Sequence, residues 1–228
     1  MVDLSIIIPV RNEPNLPSLF RRLACLPTWI STEIIVVVDS AREIITGFPV
    51  RIVCNQYSGP GGAIRTGIEA AKGKYVVPFM GDGSDDPDTI HSLYMQAVIY
   101  SLDLVCASRY SFGGSREGGP PLARTLSRWA GLSLYALGCV PTRDATNSFK
   151  LWRRSALTFL PELKGEGLEI TLQMMVCAQQ LKLAAAEIPT VWHDRTQGKS
   201  KFRFWRWLPQ YLKWYLKLLC GRRWRASI

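Results

Sequence analysis

The sequence predicts an α/β protein in which a mostly parallel central sheet is flanked by helices. The first observation behind this prediction is a set of short, continuous apolar runs rich in Val and Ile, the pattern of strands that are buried on both faces. The second is that segments with helical spacing separate these runs, as in doubly wound sheets. With 228 residues and 47% hydrophobic content, the chain can bury one sizeable core.

The predicted elements follow one another along the first half of the chain. The strands are the runs LSIIIPV (4–10), EIIVVVD (33–39), YVVPFM (75–80) and LDLVCAS (102–108). The helices are residues 14–26, 61–72 and 87–100. Asp86 and Pro87 can supply the cap and first turn of the last helix. The Gly- and Pro-rich segment 111–121 is the obvious long loop, and long loops are often functional.

The charge of the chain favours anionic partners. Lys and Arg outnumber Asp and Glu by 28 to 18, a formal charge of +10, which suits nucleotides, nucleic acid or an acidic membrane surface. The sequence has no recognised zinc, RRM or KH pattern, so we expect no nucleic-acid partner. The six cysteines form no CxxC pair, which predicts reduced thiols and no zinc site.

The sequence gives no sign of export or of a membrane-spanning helix. Its first residues form no basic leader or cleavage site, and we expect a cytoplasmic location. The longest candidate span, residues 129–141, is shorter than the roughly 20 residues that a transmembrane helix needs.

Polar residues follow each predicted strand. Open α/β sheets bind ligands outside the carboxyl ends of their strands. The four exits are Arg11 to Glu13, Asp39 with Ser40, Asp82 to Asp86, and Ser108 to Tyr110. Because these exits converge on one edge and include both acids and arginines, they predict a nucleotide site.

The first strand exit, PVRNEPN, contains no glycine. It therefore matches neither the dinucleotide GxGxxG pattern nor the phosphate-binding GxxxxGK[ST] pattern. A divalent cation on the acidic segment FMGDGSDDP, together with arginines, would neutralise a diphosphate instead, since hard cations take carboxylate oxygens. The alternative interpretation is that these acids only form a turn and a helix cap.

Seven segments together resemble a known family. They are SIIIPVRNE, IIVVVD, GGAIRTGIEAAKG, DGSDDP, ASRY, DATNSFKLWRR and RTQGKSK, in this order over about residues 3–203. They resemble the family 2 glycosyltransferases with the GT-A fold, above all the polyprenyl-phosphate branch that includes dolichyl-phosphate mannose synthase. The resemblance implies a GT-A type nucleotide-diphospho-sugar transferase fold over residues 1–202.

The resemblance also assigns roles to individual positions. Pro9, Glu13 and Asp39 match positions that hold the base and ribose of the sugar nucleotide, and we place Arg11 with them. Asp82 matches the second acid of the metal motif, which implies Mg²⁺ or Mn²⁺, and Ser84 matches the polar position after it. The phosphate-binding cations of the family are matched by Arg109, Arg124, Arg195 and Lys201.

The sequence departs from the family at three positions. Met80 stands where the first acid of the metal motif is usual, so the cation would depend on Asp82, on the donor diphosphate and on Asp85 or Asp86. Ser40 replaces the second acid of a common pair after the second strand. Ser148 replaces a glycine before Phe149, so the acceptor side can differ.

The expected reaction needs little base catalysis. A lipid phosphate is already an anion near neutral pH, and the chain has only two histidines. We nominate Asp82, Arg109 and Asp144 as the catalytic residues, with Asp144 as a base or as an acid that orients the acceptor, although Asp144 can equally be a turn residue. Glu169 is a weaker candidate, because a Glu at a helix start is also favourable with the helix dipole.

The C-terminal segment 203–228 predicts a basic, aromatic, amphipathic helix at a membrane interface. One face carries Arg203, Arg206, Lys213 and Lys217, and the other carries Trp205, Leu208, Leu212, Tyr215 and Leu219. The alternative is a helix that packs on the domain and extends its Lys and Arg side chains to solvent.

These observations predict an enzyme that transfers a sugar from a UDP or GDP donor to a polyprenyl phosphate. Its expected partners are the nucleotide sugar, the lipid phosphate and the cytoplasmic face of a membrane. The alternatives are the same fold acting on a soluble or glycan acceptor, and a noncatalytic nucleotide-binding relative.

Overall fold

The computed structural model describes residues 2–11, 13, 16–40, 47–194 and 204–221, with the backbone alone for 204–206. The strands within these residues are β1 (Leu4–Val10), β2 (Thr32–Val38), β3 (Arg51–Cys54), β4 (Tyr75–Pro78), β5 (Leu104–Ser108), β6 (Ser115–Glu117), β7 (Lys150–Arg153), β8 (Ala185–Pro189) and β9 (Val191–His193). The α-helices are α1 (Leu16–Leu23), α2 (Gly59–Ala70), α3 (Asp88–Ile99), α4 (Pro121–Ala136), α5 (Ile170–Leu181) and α6 (Phe204–Cys220).

Seven strands form a central sheet in the order β3-β2-β1-β4-β7-β5-β8. β1 pairs in parallel with β2 and β4, and β5 pairs in parallel with β8. β7 lies between β4 and β5 and is antiparallel to both. β6 and β9 form a separate, parallel two-stranded sheet. The predicted mostly parallel α/β architecture is confirmed.

Hydrophobic cores cover both faces of the central sheet. Ile7 of β1 belongs to one core, which α2, α4, α5 and α6 close. Ile6 and Ile8 belong to the other, which α1 and α3 close. Successive side chains of a strand point to opposite faces, so a strand between two cores needs apolar residues at every position. This burial explains why β1 reads as a continuous apolar run.

Several elements were not predicted, because their sequences lack such a run. β3 is an edge strand whose residues are exposed or half-exposed, and β7 contains Lys150 and Arg153. The loop predicted at 111–121 contains β6. The strand predicted to begin at residue 102 begins at Leu104, after a turn in which Ser101 has a φ of 53°.

The topology determines what meets at the functional edge of the sheet. β1, β2, β4 and β5 all end there because they are parallel. The antiparallel β7 begins at that same edge, so the residues that precede it also arrive there. Because β7 runs antiparallel to its neighbours, the segment 144–149, which precedes β7, lies beside the strand exits.

Candidate active site

The ends of β1 and β2 meet through Arg11 and Asp39. Arg11 Nε lies 3.7 Å from Asp39 Oδ2, and Asn55 Nδ2 donates a hydrogen bond to Asp39 Oδ1 at 3.1 Å. Pro9 is buried in β1, and Glu13 lies just beyond β1 and is half-buried. The predicted donor residues of the first two exits therefore lie at, or just beyond, neighbouring strand ends.

The acids after β4 have different local roles, and Asp82 forms a tight turn. Its Oδ1 accepts hydrogen bonds from Ser84 N at 3.1 Å and from Ser84 Oγ at 2.6 Å. Gly83 between them has a φ of +73°, a conformation that glycine adopts without steric cost. The turn fixes the Asp82 carboxylate at the end of the sheet, where a cation or a polar ligand can reach it.

Asp86 instead fulfils the helix-cap interpretation. Its carboxylate accepts hydrogen bonds from Asp88 N at 3.4 Å and from Thr89 Oγ1 at 3.2 Å, both in the first turn of α3. Arg22 Nη2 also contacts Asp86 Oδ1 at 2.8 Å. The acidic segment thus contains one capping acid, and Asp82 takes no part in that cap.

Asp85 is buried between these two acids. Burial, and then the neighbouring charge of Asp82, raise the pKa of Asp85 to about 7. Its backbone forms an isolated antiparallel bridge with Trp192, and His193 N donates to Ser84 O at 3.0 Å. The acidic segment is therefore held against the small β6-β9 sheet.

Arg109 and Asp144 form a buried, bidentate ion pair. Arg109 Nε and Nη2 donate to the two Asp144 oxygens at 2.6 and 2.8 Å, and Arg109 N donates to Asp144 Oδ2 at 3.1 Å. Asp144 is fully buried. Burial alone would raise the pKa of Asp144, but the charge and hydrogen bonds of Arg109 outweigh this effect and lower it. A carboxylate that is buried and held ionised in this way is a poor proton acceptor, and its visible role is to fix the Arg109 guanidinium.

Sequence reasoning missed Lys150, which supports the same loop. Its fully buried ammonium group donates to the carbonyl oxygens of Asp144 and Ala145 at 3.2 Å each, and also to that of Asn147. Burial lowers the pKa of Lys150. A lysine between the apolar residues of SFKLW was the available signal, because a buried Lys requires several acceptors.

A basic cleft opens beside the strand ends, at the start of α4. It has a volume of about 540 Å³. The lining residues are Gly118, Gly119, Pro121, Arg124, Thr125, Arg128, Trp129 and Leu132. Among the described residues, no carboxylate lies within ion-pair distance of Arg124 or Arg128. The predicted Arg124 therefore lies in a cleft that combines positive charge with an apolar wall.

The α4 surface next to this cleft is unusually apolar for an exposed helix. Leu122, Leu126 and Trp129 recur at helical spacing and are 53%, 42% and 67% exposed. Residues 129–141, considered above as a candidate membrane span, have mixed burial: Trp129 and Leu137 are exposed, whereas Leu134 is buried.

The C-terminal helix α6 packs on the domain through one face. Leu218 is fully buried, and Tyr215 and Leu219 pack against the core. Ser133 Oγ of α4 and Tyr215 Oη are 2.9 Å apart. Tyr215 and Leu219, on the predicted apolar face, therefore pack on the domain, as in the alternative interpretation. Leu212 and Leu216 are about half exposed, on the same helix as the exposed lysines 213 and 217.

Glu169, the weaker candidate, is a buried residue beneath α6. Its Oε1 accepts a hydrogen bond from Gly167 N at 3.1 Å, and its Oε2 has no hydrogen-bond partner in the described part of the chain. Burial, followed by the charge of Glu169, raises the pKa of Tyr211 on α6. Glu169 therefore links α6 to the loop before α5.

Two predicted phosphate ligands, Arg195 and Lys201, lie outside the described residues. Within the residues that are described, no group of three or more His, Cys, Asp or Glu side chains could hold a metal ion. No helix among them is long and apolar enough to cross a membrane. A cation bound through Asp82 would therefore need oxygens from its ligand.

The fold is the GT-A fold of glycosyltransferases. A solved structure of the Mycobacterium tuberculosis glucosyl-3-phosphoglycerate synthase, in complex with Mn²⁺, UDP and glucosyl-3-phosphoglycerate, matches with a TM-score of 0.65. The match covers 96% of this chain and 79% of that one at 17% sequence identity. The GT-A fold predicted from the motifs is confirmed.

Sequence comparison shows the family. The family described as Glycosyl transferase family 2 matches residues 5–159. Human dolichyl-phosphate beta-glucosyltransferase is 25% identical over 235 residues, which cover 90% of this chain and 72% of that protein. Dolichol-phosphate mannosyltransferase of Mycosarcoma maydis is 26% identical over 215 residues, with coverages of 86% and 72%. The chain belongs to glycosyltransferase family 2, and the predicted glycosyltransferase activity is confirmed at that level.

Proposed function

We propose that this glycosyltransferase moves a sugar from a nucleotide diphosphate to a polyprenyl phosphate at a membrane surface, with Mg²⁺ or Mn²⁺ bound beside Asp82. The observation that carries the proposal is the arrangement of two unlike regions at one edge. An acidic turn lies at the strand ends, and a basic cleft with an apolar wall lies beside it on α4. A diphosphate with its cation suits the first region, and a phosphate on an apolar chain suits the second.

The donor side consists of the ends of β1, β2 and β4. In this proposal Arg11, Asp39 and Glu13 contact the nucleoside, and Asp82 with Ser84 contacts the diphosphate and its cation. A single fixed carboxylate is enough for Mg²⁺ when phosphate oxygens complete its coordination. The cation, when bound, stabilises the negative charge of the departing diphosphate.

The acceptor side needs orientation more than base catalysis. An oxygen of the acceptor phosphate forms a bond with the anomeric carbon, while the bond from that carbon to the donor diphosphate breaks and its electron pair leaves with the nucleotide. Because the phosphate oxygen is already negative, no proton has to be removed. Asp144, held ionised by Arg109, instead fixes the Arg109 guanidinium beside the Trp192 ring, 6.0 Å away.

The membrane surface would be formed by α4 and α6 together. Their exposed Leu and Trp side chains lie among arginines and lysines, a combination that favours an anionic lipid interface. Lys213 and Lys217 both approach the Trp214 ring, at 5.4 and 4.4 Å. We propose a location peripheral to the cytoplasmic membrane face.

A transfer assay tests the proposed function. The protein is incubated with radiolabelled UDP- and GDP-sugars, undecaprenyl or dolichyl phosphate, and Mn²⁺, and the organic extract is counted. We expect a labelled lipid that is lost when the cation is chelated. Label that appears only in the aqueous phase with 3-phosphoglycerate or a glycan would instead support the soluble-acceptor alternative.

Vesicle flotation tests the membrane surface separately. The double variant Lys213→Gln/Lys217→Gln should bind phosphatidylglycerol vesicles at least threefold more weakly than the parent. The control Lys72→Gln/Lys182→Gln removes the same charge from exposed positions that precede β4 and β8, at the opposite edge of the sheet. Equal losses in both variants would show attraction by net charge alone. Deletion of α6 is a poorer test, because it would expose the core around Leu218.

A further inference from the structure

Arg116 is held in one orientation by the small sheet. It lies on β6 directly opposite Trp192 of β9, and the centre of its guanidinium lies 4.7 Å from the indole centroid. Its Nη1 donates to Tyr110 Oη at 3.3 Å. An arginine that stacks on an aromatic ring in this way is pre-organised to present its planar donors to a ligand.

The charge of Arg116 is not neutralised by any carboxylate in the described ranges. Its neighbour Glu117 pairs with His193 at 2.9 Å, and Arg109 pairs with Asp144. Arg116 Nε is buried and has no hydrogen-bond partner among the described residues. An arginine whose charge has no carboxylate partner favours an anionic ligand at its remaining donors on the guanidinium.

Gly119 brings this guanidinium to the wall of the α4 cleft. A Cβ on Gly119 would lie 3.1 Å from Arg116 Nη2 and 3.5 Å from the Trp192 ring, so glycine permits the close approach. Gly119 itself lines the cleft, and its backbone N–H donates to Asp194 Oδ2 at 3.2 Å. Arg116 therefore packs against Gly119, a residue of the same cleft that Arg124 and Arg128 line.

The lining of the cleft indicates which anion it would take. The two lining arginines, Arg124 and Arg128, together with the neighbouring Arg116 favour a phosphate, because each offers a fork of N–H donors. Trp129 and Leu132 add an apolar wall, which a sugar-nucleotide diphosphate would not use. The cleft also lies beside α4, whereas Asp82, the expected diphosphate position, follows β4.

We propose that Arg116 is the pre-oriented cation of this cleft and binds the phosphate group of an isoprenoid monophosphate, with Trp192 and Tyr110 fixing its orientation. This inference rests on the proposed acceptor class. It assigns to β6 a specificity role: Arg116 selects acceptors that carry a phosphate, and Arg124 and Arg128 attract them.

Calorimetry with farnesyl phosphate tests the inference. Arg116→Gln should weaken farnesyl phosphate binding at least tenfold and leave the affinity for UDP or GDP with Mn²⁺ within twofold. Farnesol, which has no phosphate, should bind the parent and the variant equally. Lys182→Gln, with the same change of charge on the opposite edge, should match the parent for every ligand. Arg116→Lys retains the charge without the stacked fork and should bind farnesyl phosphate at least threefold more weakly.

Each alternative outcome has a distinct meaning. Parent-like binding of farnesyl phosphate by Arg116→Gln would overturn the role of Arg116 while leaving the acceptor class intact. If that variant does not fold, parent-like affinity in Arg116→Lys would overturn the inference. Loss of nucleotide binding without loss of farnesyl phosphate binding would move Arg116 to the donor side and also overturn it. A parent protein that binds no isoprenoid phosphate would refute the acceptor class together with the inference.

Discussion

The arginines at the strand ends form ion pairs, whereas the arginines of the α4 cleft have no carboxylate partner among the described residues. At the strand ends Arg11 pairs with Asp39, and Arg109 pairs with Asp144. Around the cleft, Arg124 and Arg128 have no carboxylate partner in the described part of the chain. Paired charges fix geometry but leave little net attraction for an anion, so the strand-end region requires a cation to hold a diphosphate. The cleft can attract a phosphate directly.

Asp82→Asn should produce the largest effect, because it removes the only strand-end carboxylate that we assign to the cation. The change retains the size of the side chain and an oxygen that can accept from Ser84. We expect transfer to fall about a thousandfold, close to 4 kcal/mol, with a melting temperature within a few degrees of the parent. Initial rates at saturating Mn²⁺ measure the loss.

Asp88→Asn is the matched control for this variant. Its side chain is 87% exposed in the same segment, and its contact with Arg22 is 3.8 Å long. Equal activity in Asp82→Asn and the parent would mean that the acidic segment serves only as a turn.

Asp144→Asn should destabilise the fold, because it leaves the Arg109 charge buried without its carboxylate. Breaking a buried pair costs about 3 kcal/mol or more, and urea unfolding measures that difference. Asp39→Asn, which breaks an exposed pair at the same edge, should cost less than about 1 kcal/mol. Similar losses of stability in both variants would contradict the expectation that the buried ion pair stabilises the fold more than the exposed one.

Asp85→Asn should stabilise the protein at high pH. The folded-state pKa of Asp85, about 7, lies above the usual 3.8, so folding favours the neutral carboxyl group. That stability is present at low pH and is lost as pH rises from about 4 through 7. In EDTA, we expect the free energy of unfolding of the variant to match that of the parent near pH 4 and to exceed it by up to about 4 kcal/mol near pH 8. If the difference in stability between the variant and the parent does not change with pH, Asp85 does not titrate in this range.

Asp39→Ala should have a small effect, and that effect should be on donor binding. Loss of one charged hydrogen bond to the nucleoside corresponds to about 1.5 kcal/mol, roughly a tenfold weaker affinity. Because Asp39 is exposed, its contribution to the core is small and the fold should be retained. Unchanged nucleotide affinity in calorimetry would remove Asp39 from the site.

The sequence predicts the strand-end region well and the cleft poorly, for a physical reason. β1 lies between two cores, so its apolar run is unmistakable and its polar exit is easily located. β7 and β6 are short and carry charged residues, so nothing local indicates that they are strands. Arg116 and Lys150 acquire their surroundings only through pairing with distant strands. The role of Asp144 likewise depends on the antiparallel direction of β7, which cannot be read from the spacing of residues in the sequence.

A crossed binding experiment tests the central claim that the two regions hold different substrates. Affinities for UDP or GDP with Mn²⁺ and for farnesyl phosphate are measured for the parent, for Asp82→Asn and for Arg124→Gln/Arg128→Gln. We predict that Asp82→Asn loses only the cation-dependent nucleotide binding, and that the double arginine variant binds only farnesyl phosphate more weakly, by at least tenfold. If both variants weaken the same ligand and spare the other, the two regions form one site and the account is wrong.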